Sequence, residues 1–317
     1  MIFLAQDVAS PPGLERVGVE APGPPRRRRQ TSETLAALLF LLPALFGFTV
    51  FYLVPLVRGV FLSLTDWDLL STPNFVGLKN FQDLASDKLF WNSLLVTAEY
   101  VILNIGFQTI LAILIAVLME RLTRSMAIRG SLIIPYLIPN IVVGLIWFWM
   151  LDFQLGIVNQ FIEAIGLNRI AFLGSTTWAL PSIAFINVWR HMGYTALLVF
   201  AGLQAIPKTA YEAAAIDGAS EWKMFWKITM PLLRPVLAVV LVITMIGSFQ
   251  IFDTVAVTTR GGPVNATRVI YYYIYQKAFD QFEFGYASAI ALVLMLILVA
   301  VTFVQLKLLR AGESDLA

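Results

Sequence analysis

Residues 212–231, EAAAIDGASEWKMFWKITMP, form a partly charged, amphipathic passage between two long apolar stretches of the chain. A chain that crosses a bilayer does not need such a structured polar connection. The alanine-rich start favours a helix, and Gly218 can adopt the positive φ that ends one. We expect two short helices joined by a tight turn, forming a surface on which another protein docks. An amphipathic hairpin resting on lipid headgroups is the alternative.

The composition predicts a membrane protein. Of the 317 residues, 59% are hydrophobic and 13% are charged, whereas soluble domains are about half apolar and about a quarter charged. There is no cysteine and only one histidine, His191, so disulfides, thiolate metal sites and multi-histidine metal sites are excluded. The net charge of +2 is too small to indicate nucleic-acid binding. We expect no catalytic and no metal-binding residue.

Long apolar stretches define the predicted fold class. A spanning helix needs about 20 mainly apolar residues, and only helices satisfy their own backbone groups in lipid. We therefore expect an all-α integral membrane protein with six transmembrane helices and a polar loop, residues 207–234, between the fourth and fifth spans. The six stretches are residues 35–64, 94–119, 128–151, 178–206, 236–257 and 286–304.

The distribution of lysine and arginine predicts the orientation. With the N-terminus inside, the inner segments hold about twice as many basic residues as the outer ones, and arginines 26–29 are the strongest group. Both termini and the 207–234 loop are then cytoplasmic. Residues 1–30, rich in proline, glycine and charge, are predicted to be a disordered cytoplasmic tail. The transmembrane domain is predicted over 31–311.

The 207–234 loop contains recognisable helix boundaries. Pro207 suits the first turn of a helix, and Gly218 suits its end. The Ser220 hydroxyl can cap a second helix. We expect Pro231 and Pro235 to break the chain before the fifth span.

This loop resembles the signature loop of ABC-importer permeases. The shared pattern is Glu-Ala-Ala, three residues, Gly, nine residues, Ile, one residue, a hydrophobic residue and Pro. The matching residues are Glu212, Ala213, Ala214, Gly218, Ile228, Met230 and Pro231. Met230 stands where the family usually has leucine. In that family the loop forms coupling helices that seat in a groove of the ATPase subunit, so the resemblance implies an ATPase-coupling role for these residues.

Other segments resemble the carbohydrate-uptake subgroup, in particular maltose-type and glycerol-3-phosphate-type inner-membrane permeases. They are residues 77–81, 205–207, 261–263, 265–267 and 285–287. The resemblance covers roughly residues 35–310. It implies a bacterial-type plasma membrane, a second homologous permease subunit and an extracytoplasmic solute-binding protein.

The energy source is expected to lie outside this chain. The sequence contains no G-x-x-x-x-G-K-[ST] phosphate loop. We therefore expect no cofactor in this chain and no enzymatic activity, with ATP and Mg bound by a separate ATPase dimer.

Polar residues inside spans are costly and tend to face cavities or partners. On the fourth span the spacing of three and four residues puts one group on a single helix face, and a second group lies on the fifth span. The predicted substrate-pathway residues are Asn187, Arg190, His191, Tyr194, Ser248, Gln250 and Asp253. Alternatively, these side chains satisfy one another between helices or face the second permease.

The resemblance to maltose-type permeases suggests roles for individual residues on this face of the fourth span. Asn187 falls on a sugar-contacting asparagine of the maltose-type pattern, and Tyr194 falls near a tyrosine. Arg190 and His191 depart from the pattern, which argues against maltose itself. They indicate an anionic or differently shaped solute, or only a buried pair between Arg190 and Asp253.

Three functions are compatible with these features. The first is the permease subunit of an ATP-driven importer that translocates a sugar-like solute by alternating access. The second is an ion-coupled secondary transporter that acts without an ATPase, with Asp253, Glu99 and His191 as an ionisable relay. It predicts internal repeats, which are not visible in the sequence. The third is a membrane scaffold, which gives no reason for the polar face on the fourth span.

Overall fold

The computed structural model describes residues 27–122 and 125–308. They are helical apart from turns, loops and one isolated antiparallel bridge between Thr65 and Phe75, which confirms the predicted all-α class. Of the tail predicted over residues 1–30, residues 1–26 lie outside the described part. The chain divides into two compact units between Pro55 and Leu56.

The first unit contains α1, Arg27–Phe48, and a π-helical turn, Thr49–Leu53. Pro43 lies inside α1.

The second unit contains the remaining helices. These are α2 (Val54–Leu62, whose first two residues belong to the first unit), α3 (Lys79–Ser86), α4 (Lys88–Leu122), α5 (Met126–Ser131), α6 (Ile134–Leu137), α7 (Asn140–Met150), α8 (Ile157–Ala164), α9 (Ala179–Gln204), α10 (Lys208–Ile216), α11 (Glu221–Met224), α12 (Met230–Phe249), α13 (Asp253–Thr258), α14 (Ile270–Tyr275) and α15 (Phe284–Leu308). Two further π-helical turns are Phe225–Thr229 and Gln276–Asp280.

Five helices of the described part are long and apolar enough to cross a membrane. They are Ala36–Leu62, Lys88–Leu122, Ala179–Gln204, Glu221–Thr258 and Phe284–Leu308. They coincide with the first, second, fourth, fifth and sixth predicted stretches.

The third predicted stretch is not one helix. Residues 128–151 are divided among α5, α6 and the 11-residue α7. Two prolines explain the interruption, because proline lacks the N–H of a helix interior and disfavours helical geometry in the preceding residue. Ile138, which precedes Pro139, is extended with ψ 134°.

The fifth stretch also differs from expectation. The predicted break at Pro231 and Pro235 is wrong, because α11, the π-helical turn at Phe225–Thr229 and α12 follow one another without interruption. Pro231 lies in the first turn of α12, and a local π turn is one way in which membrane helices accommodate proline. The interruption comes later, at residues 250–252, between α12 and α13.

The core lies where α4 and α9 pack along each other. The main cluster contains the fully buried Ile183 of α9, Ile270 and Tyr273 of α14, and Ile290 of α15, with Tyr100 of α4 at 1% exposure. A second cluster joins α4, α9 and α12 near the 207–234 loop. This packing brings the interrupted segments α6–α7 and α12–α13 beside α9.

Candidate functional site

A polar cavity of about 340 Å³ lies where these interrupted segments meet α4 and α9. Six of the seven predicted pathway residues line it. They are Asn187, His191, Tyr194, Ser248, Gln250 and Asp253. Arg190 is not among the lining residues. Gln250 lies in the interruption after α12, not inside the helix as predicted.

One wall of the cavity is a chain of buried side-chain hydrogen bonds. Asn104 of α4 donates through Nδ2 to Ser248 Oγ at 2.9 Å and to Gln108 Oε1 at 3.2 Å. Gln108 donates through Nε2 to Thr195 Oγ1 at 2.7 Å. These bonds link α4 to both α9 and α12.

Asn104 and Gln108 were not among the predicted pathway residues. The sequence could have identified them, because two amides four residues apart on an apolar helix share one face. Asn187 performs a similar linking role on the other side of the cavity. It donates to the Ile183 carbonyl at 3.0 Å and to Thr254 Oγ1 at 3.3 Å, which ties α9 to α13.

Arg190 holds the interrupted third stretch in place. Its Nε donates to the carbonyl of Ile138 and its Nη2 to the carbonyl of Tyr136, both at 3.0 Å. These carbonyls lie at the end of α6, where the helix interruption leaves acceptors without helical partners. Within the described residues no ion pair joins Arg190 to Asp253. The alternative of a direct ion pair between Arg190 and Asp253 is therefore not formed: the guanidinium bonds to backbone carbonyls instead.

His191 has both ring nitrogens engaged. Nδ1 lies 2.9 Å from the Asn187 carbonyl, and Nε2 lies 2.8 Å from Arg190 Nη1. A carbonyl only accepts and a guanidinium only donates, so the proton is assigned to Nδ1 and Nε2 accepts. The imidazole is neutral in this arrangement, and its two partners, a backbone carbonyl and a guanidinium, are not groups that pass protons on.

Aromatic rings form another part of the lining. Tyr136 stacks on Tyr194 with ring centroids 4.4 Å apart and an interplanar angle of 10°. The edge of His191 packs against Tyr136, and the Arg190 guanidinium lies over the same ring at 5.1 Å. Tyr136 was missed by the sequence reasoning, since a tyrosine between two prolines carries no periodic signal.

The half-buried carboxylate of Asp253 lies at the far side of the interruption. Asn140 Nδ2 donates to its Oδ2 at 3.0 Å, which links α7 to α13. In the described part of the chain, the buried Oδ1 atoms of Asn104 and Asn140 have no hydrogen-bond partner. Buried polar atoms are rarely left this way, and neither oxygen is exposed to the cavity, although both residues line it.

The 207–234 loop has the expected local structure. The turn at Gly218 adopts φ +72°, and the Ser220 hydroxyl accepts from the backbone N–H of Lys223 at 3.4 Å. Of the predicted coupling residues, Glu212, Ala213 and Ala214 lie on α10 and Gly218 on the turn. Ile228 and Pro231 lie instead in the helical segment that leads into the fifth stretch.

A second cavity, of about 540 Å³, lies between this loop and the end of α4. Glu212 and Phe225 line it, together with Arg121 and Glu221, which form an ion pair. The Tyr211 hydroxyl lies 2.9 Å from Thr229 Oγ1 and joins α10 to the π-helical turn. Beside them, Trp222 and Trp226 are 71% and 51% exposed.

The other end of α4 is tied to its own chain through Asp87. Oδ1 accepts from the backbone N–H groups of Leu89 and Phe90 at 2.8 and 3.3 Å, and Oδ2 accepts from the hydroxyls of Tyr273 and Tyr286. Burial alone would raise the pKa of this carboxyl, but the hydrogen bonds outweigh burial and lower it below its ordinary value. We call Asp87, Tyr273 and Tyr286 the Asp87 cluster.

A family model described as "Binding-protein-dependent transport system inner membrane component" matches residues 108–311. The chain belongs to this family. The match spans α9, the 207–234 loop and all helices that follow. The chain is therefore a transport component rather than an enzyme.

Individual relatives agree with this assignment. The probable ABC transporter permease protein YurN of Bacillus subtilis is 35% identical over 283 residues, which are 87% of this chain and 97% of that protein. The trehalose/maltose transport system permease protein MalF of Thermococcus litoralis is 34% identical over 240 residues, which are 75% and 81% of the two chains. The resemblance to carbohydrate-uptake ABC permeases is confirmed.

The fold agrees with a solved structure. A chain of a bacterial ABC transporter involved in the import of the acidic polysaccharide alginate superposes with a TM-score of 0.78 and 23% sequence identity. The match covers 91% of this permease and 99% of that chain. At this identity the likeness concerns the fold alone.

Proposed function

We propose that this permease subunit carries a sugar or sugar-like solute into the cytoplasm by alternating access, driven by ATP hydrolysis in a partner ATPase. The observation that carries the proposal is the polar cavity between α4, α9 and the two interrupted segments. Irregular backbone at membrane depth is tolerated where it lines a cavity, and discontinuous helices at such depth often form transport sites. The trehalose/maltose relative supports a sugar-like solute.

The lining has the chemistry that a sugar requires. Amides and hydroxyls, including Asn187 and Ser248, exchange hydrogen bonds with sugar hydroxyls. The stacked rings of Tyr136 and Tyr194 offer an apolar surface for the C–H face of a pyranose. Sites of this kind combine a mainly apolar wall with a few placed polar groups.

The proposed topology has six spans. The segments α5 to α7 together act as the third span, interrupted at Pro135 and Pro139. Both termini lie in the cytoplasm, as the basic residues indicate, and the protein is multi-pass in the bacterial plasma membrane. Two such permease subunits, this one and a homologous partner, enclose the full translocation path.

The 207–234 loop is proposed to dock on the ATPase. Its exposed tryptophans and the Glu212-lined cavity are the supporting features. The ATPase dimer binds ATP and Mg, whereas this chain holds no cofactor. An extracytoplasmic solute-binding protein delivers the solute, as the family description implies. The relay role of an ion-coupled transporter has no support at His191, because both of its nitrogens are engaged.

The coupling proposal can be tested with two glycines in similar surroundings. Gly218 and Gly166 have φ +72° and +84°, and a Cβ at either position meets nothing within 4 Å. Gly218→Asp should abolish co-purification with the ATPase and ATP-driven uptake of maltose or trehalose into proteoliposomes. Gly166→Asp carries the same backbone strain outside the loop and should retain both. If Gly218→Asp retains co-purification and uptake as fully as Gly166→Asp does, the coupling role is refuted.

The pathway proposal needs its own control. Asn187→Ala removes an amide that lines the cavity, whereas Ser182→Ala removes a buried hydroxyl of the same helix that does not line it. We expect Asn187→Ala to lower uptake at least about fivefold while the complex still assembles, because each lost sugar hydrogen bond costs about 1 kcal/mol or more. Unchanged uptake in Asn187→Ala would contradict the pathway.

A further inference from the structure

We infer that the cavity admits neutral sugars and rejects anionic ones, and that the Asp253 carboxylate is the group that rejects them. This inference rests on the proposed function and names the substrate class for the same site. The presence of Arg190 in the sequence raised the alternative of an anionic solute, and the inference decides against it.

The charges around the cavity are the first argument. Among the described lining residues Asp253 is the sole carboxylate, and no lysine or arginine lines the cavity. Arg190 keeps its positive charge, but the guanidinium does not line the cavity, and three of its N–H groups are donated to the carbonyls of Tyr136 and Ile138 and to His191. His191 is neutral in this arrangement. An anion in the cavity therefore contacts the Asp253 carboxylate directly, whereas the guanidinium of Arg190 lies behind the lining residues.

The hydrogen-bonding capacity of the lining is the second argument. The Asp253 carboxylate is an acceptor only, and Asn140 Nδ2 donates to its Oδ2 at 3.0 Å. A sugar hydroxyl can donate to the remaining lone pairs of the carboxylate, whereas an ionised carboxylate, sulfonate or phosphate has no such proton to give. Charge and hydrogen-bond direction thus select against the same class of solute.

The sequence provides a direct probe of this electrostatic bias. The chain contains no cysteine, and Gly247 lines the cavity with nothing within 4 Å of an added Cβ. Gly247→Cys therefore introduces a single thiol of this chain into the cavity. In the assembled transporter, the thiol is reacted with a cationic and with an anionic methanethiosulfonate of similar size. The rates are followed by the mass of this chain.

We compare the rate ratio, that is, the rate with the cationic reagent divided by the rate with the anionic one. We expect this ratio to be about tenfold higher for the thiol in the cavity than for a free thiol, as one nearby unit charge would give. Adding Asp253→Asn should return the rate ratio to that of the free thiol, and Asp253→Glu should preserve it. Asp280→Asn, which removes an exposed carboxylate that does not line the cavity, should leave the ratio unchanged. A ratio equal to that of the free thiol, or one unaffected by Asp253→Asn, overturns the inference.

A transport measurement separates this inference from the proposed function. Uptake of maltose is compared with uptake of the same disaccharide oxidised to a carboxylate at C6. Uptake of the oxidised sugar at a rate equal to that of maltose overturns the anion rejection while the sugar-transport proposal stands. Conversely, the reagent bias together with absence of any sugar uptake leaves the charge selection intact and removes the proposed function. If Gly247→Cys does not assemble, the near-isosteric Ser248→Cys is the second probe position.

Discussion

The two ends of α4 differ in how their polar groups are satisfied. The helix has 35 residues and is about 50 Å long. At its start, Asp87 caps the helix and accepts two tyrosine hydroxyls from much later in the chain. At its end, Arg121 pairs with Glu221 on the surface, where the two side chains are 55% and 70% exposed. The first end is closed by the protein's own residues, and the second is open.

This difference indicates which polar groups the chain satisfies by itself. At the Asp87 end the carboxylate itself is satisfied, because backbone and side-chain donors of the same chain already reach it. The Arg121 end presents charge together with exposed Trp222 and Trp226. Exposed aromatic and arginine side chains are typical of protein interfaces. Substitutions at the closed end should therefore damage folding, whereas those at the open end should damage assembly.

The largest expected effect is that of Gly285→Ala at the closed end. A Cβ at Gly285 would overlap the carbonyl oxygen of Thr65, and the Gly285 N–H donates to the Trp67 carbonyl at 3.0 Å. Backbone cannot move aside cheaply, so we expect a loss of about 3 kcal/mol or more in stability, read as a lower thermal midpoint in detergent. Gly218→Ala at the open end has space for its Cβ and should cost about 1 kcal/mol through its positive φ. Similar midpoints for the two variants would erase the distinction.

Asp87→Asn should come next. The amide keeps the shape of the carboxylate but loses its charge and replaces one acceptor oxygen by a donor. Hydrogen bonds to a charged group contribute about 1.5–3 kcal/mol, and partial exposure of Asp87 places the expected loss near the lower value. The thermal midpoint of the purified subunit measures it. A midpoint equal to that of the native protein would show that the cluster does not stabilise this end.

The contribution of Asp87 to the stability of the folded protein should also depend on pH. Because the folded pKa is lower than the unfolded value, which is about 3.9, the stabilisation is fully present above the unfolded pKa. It is lost as the pH falls through the folded pKa. The midpoints of the native protein and Asp87→Asn should therefore differ at pH 7 and converge below about pH 4. A constant difference between the two proteins over this range would contradict the assignment.

The smallest expected effect on stability is that of Glu221→Gln at the open end. Exposed ion pairs contribute at most about 1 kcal/mol, and salt screens them further. We expect a nearly unchanged thermal midpoint together with weaker co-purification of the ATPase. A change in the midpoint as large as that of Asp87→Asn would show that the two ends of α4 do not differ as described.

Local features of the sequence predicted local features of the structure. Gly218 ends α10 with positive φ and Ser220 caps α11, because both depend only on neighbouring residues. The effect of the prolines was harder to predict. Pro135 and Pro139 interrupt the third stretch, whereas Pro231 and Pro235 are accommodated beside a π-helical turn. All four residues are prolines in apolar stretches, so residue type alone did not decide which of them interrupts a helix.

The residues of the cavity were predicted only in part. The helical spacing correctly placed Asn187, His191 and Tyr194 on one face, and all three line the cavity. Spacing alone did not identify the partner of Arg190, since the carbonyls that it binds become available only after the third stretch is interrupted. Tyr136 and Asn140 reach the cavity through that interruption.

The sequence by itself determined the helical class, the positions of the long apolar stretches and the polar connection at 207–234, since length, composition and local conformational preference set these features. Only the tertiary structure decided where the helices are interrupted, which residues meet in the cavity and how α4 is closed at its start. Asp87 meets Tyr273 and Tyr286 across 186 and 199 residues of chain. Contacts over such separations depend on how distant segments pack, and no local pattern encodes them.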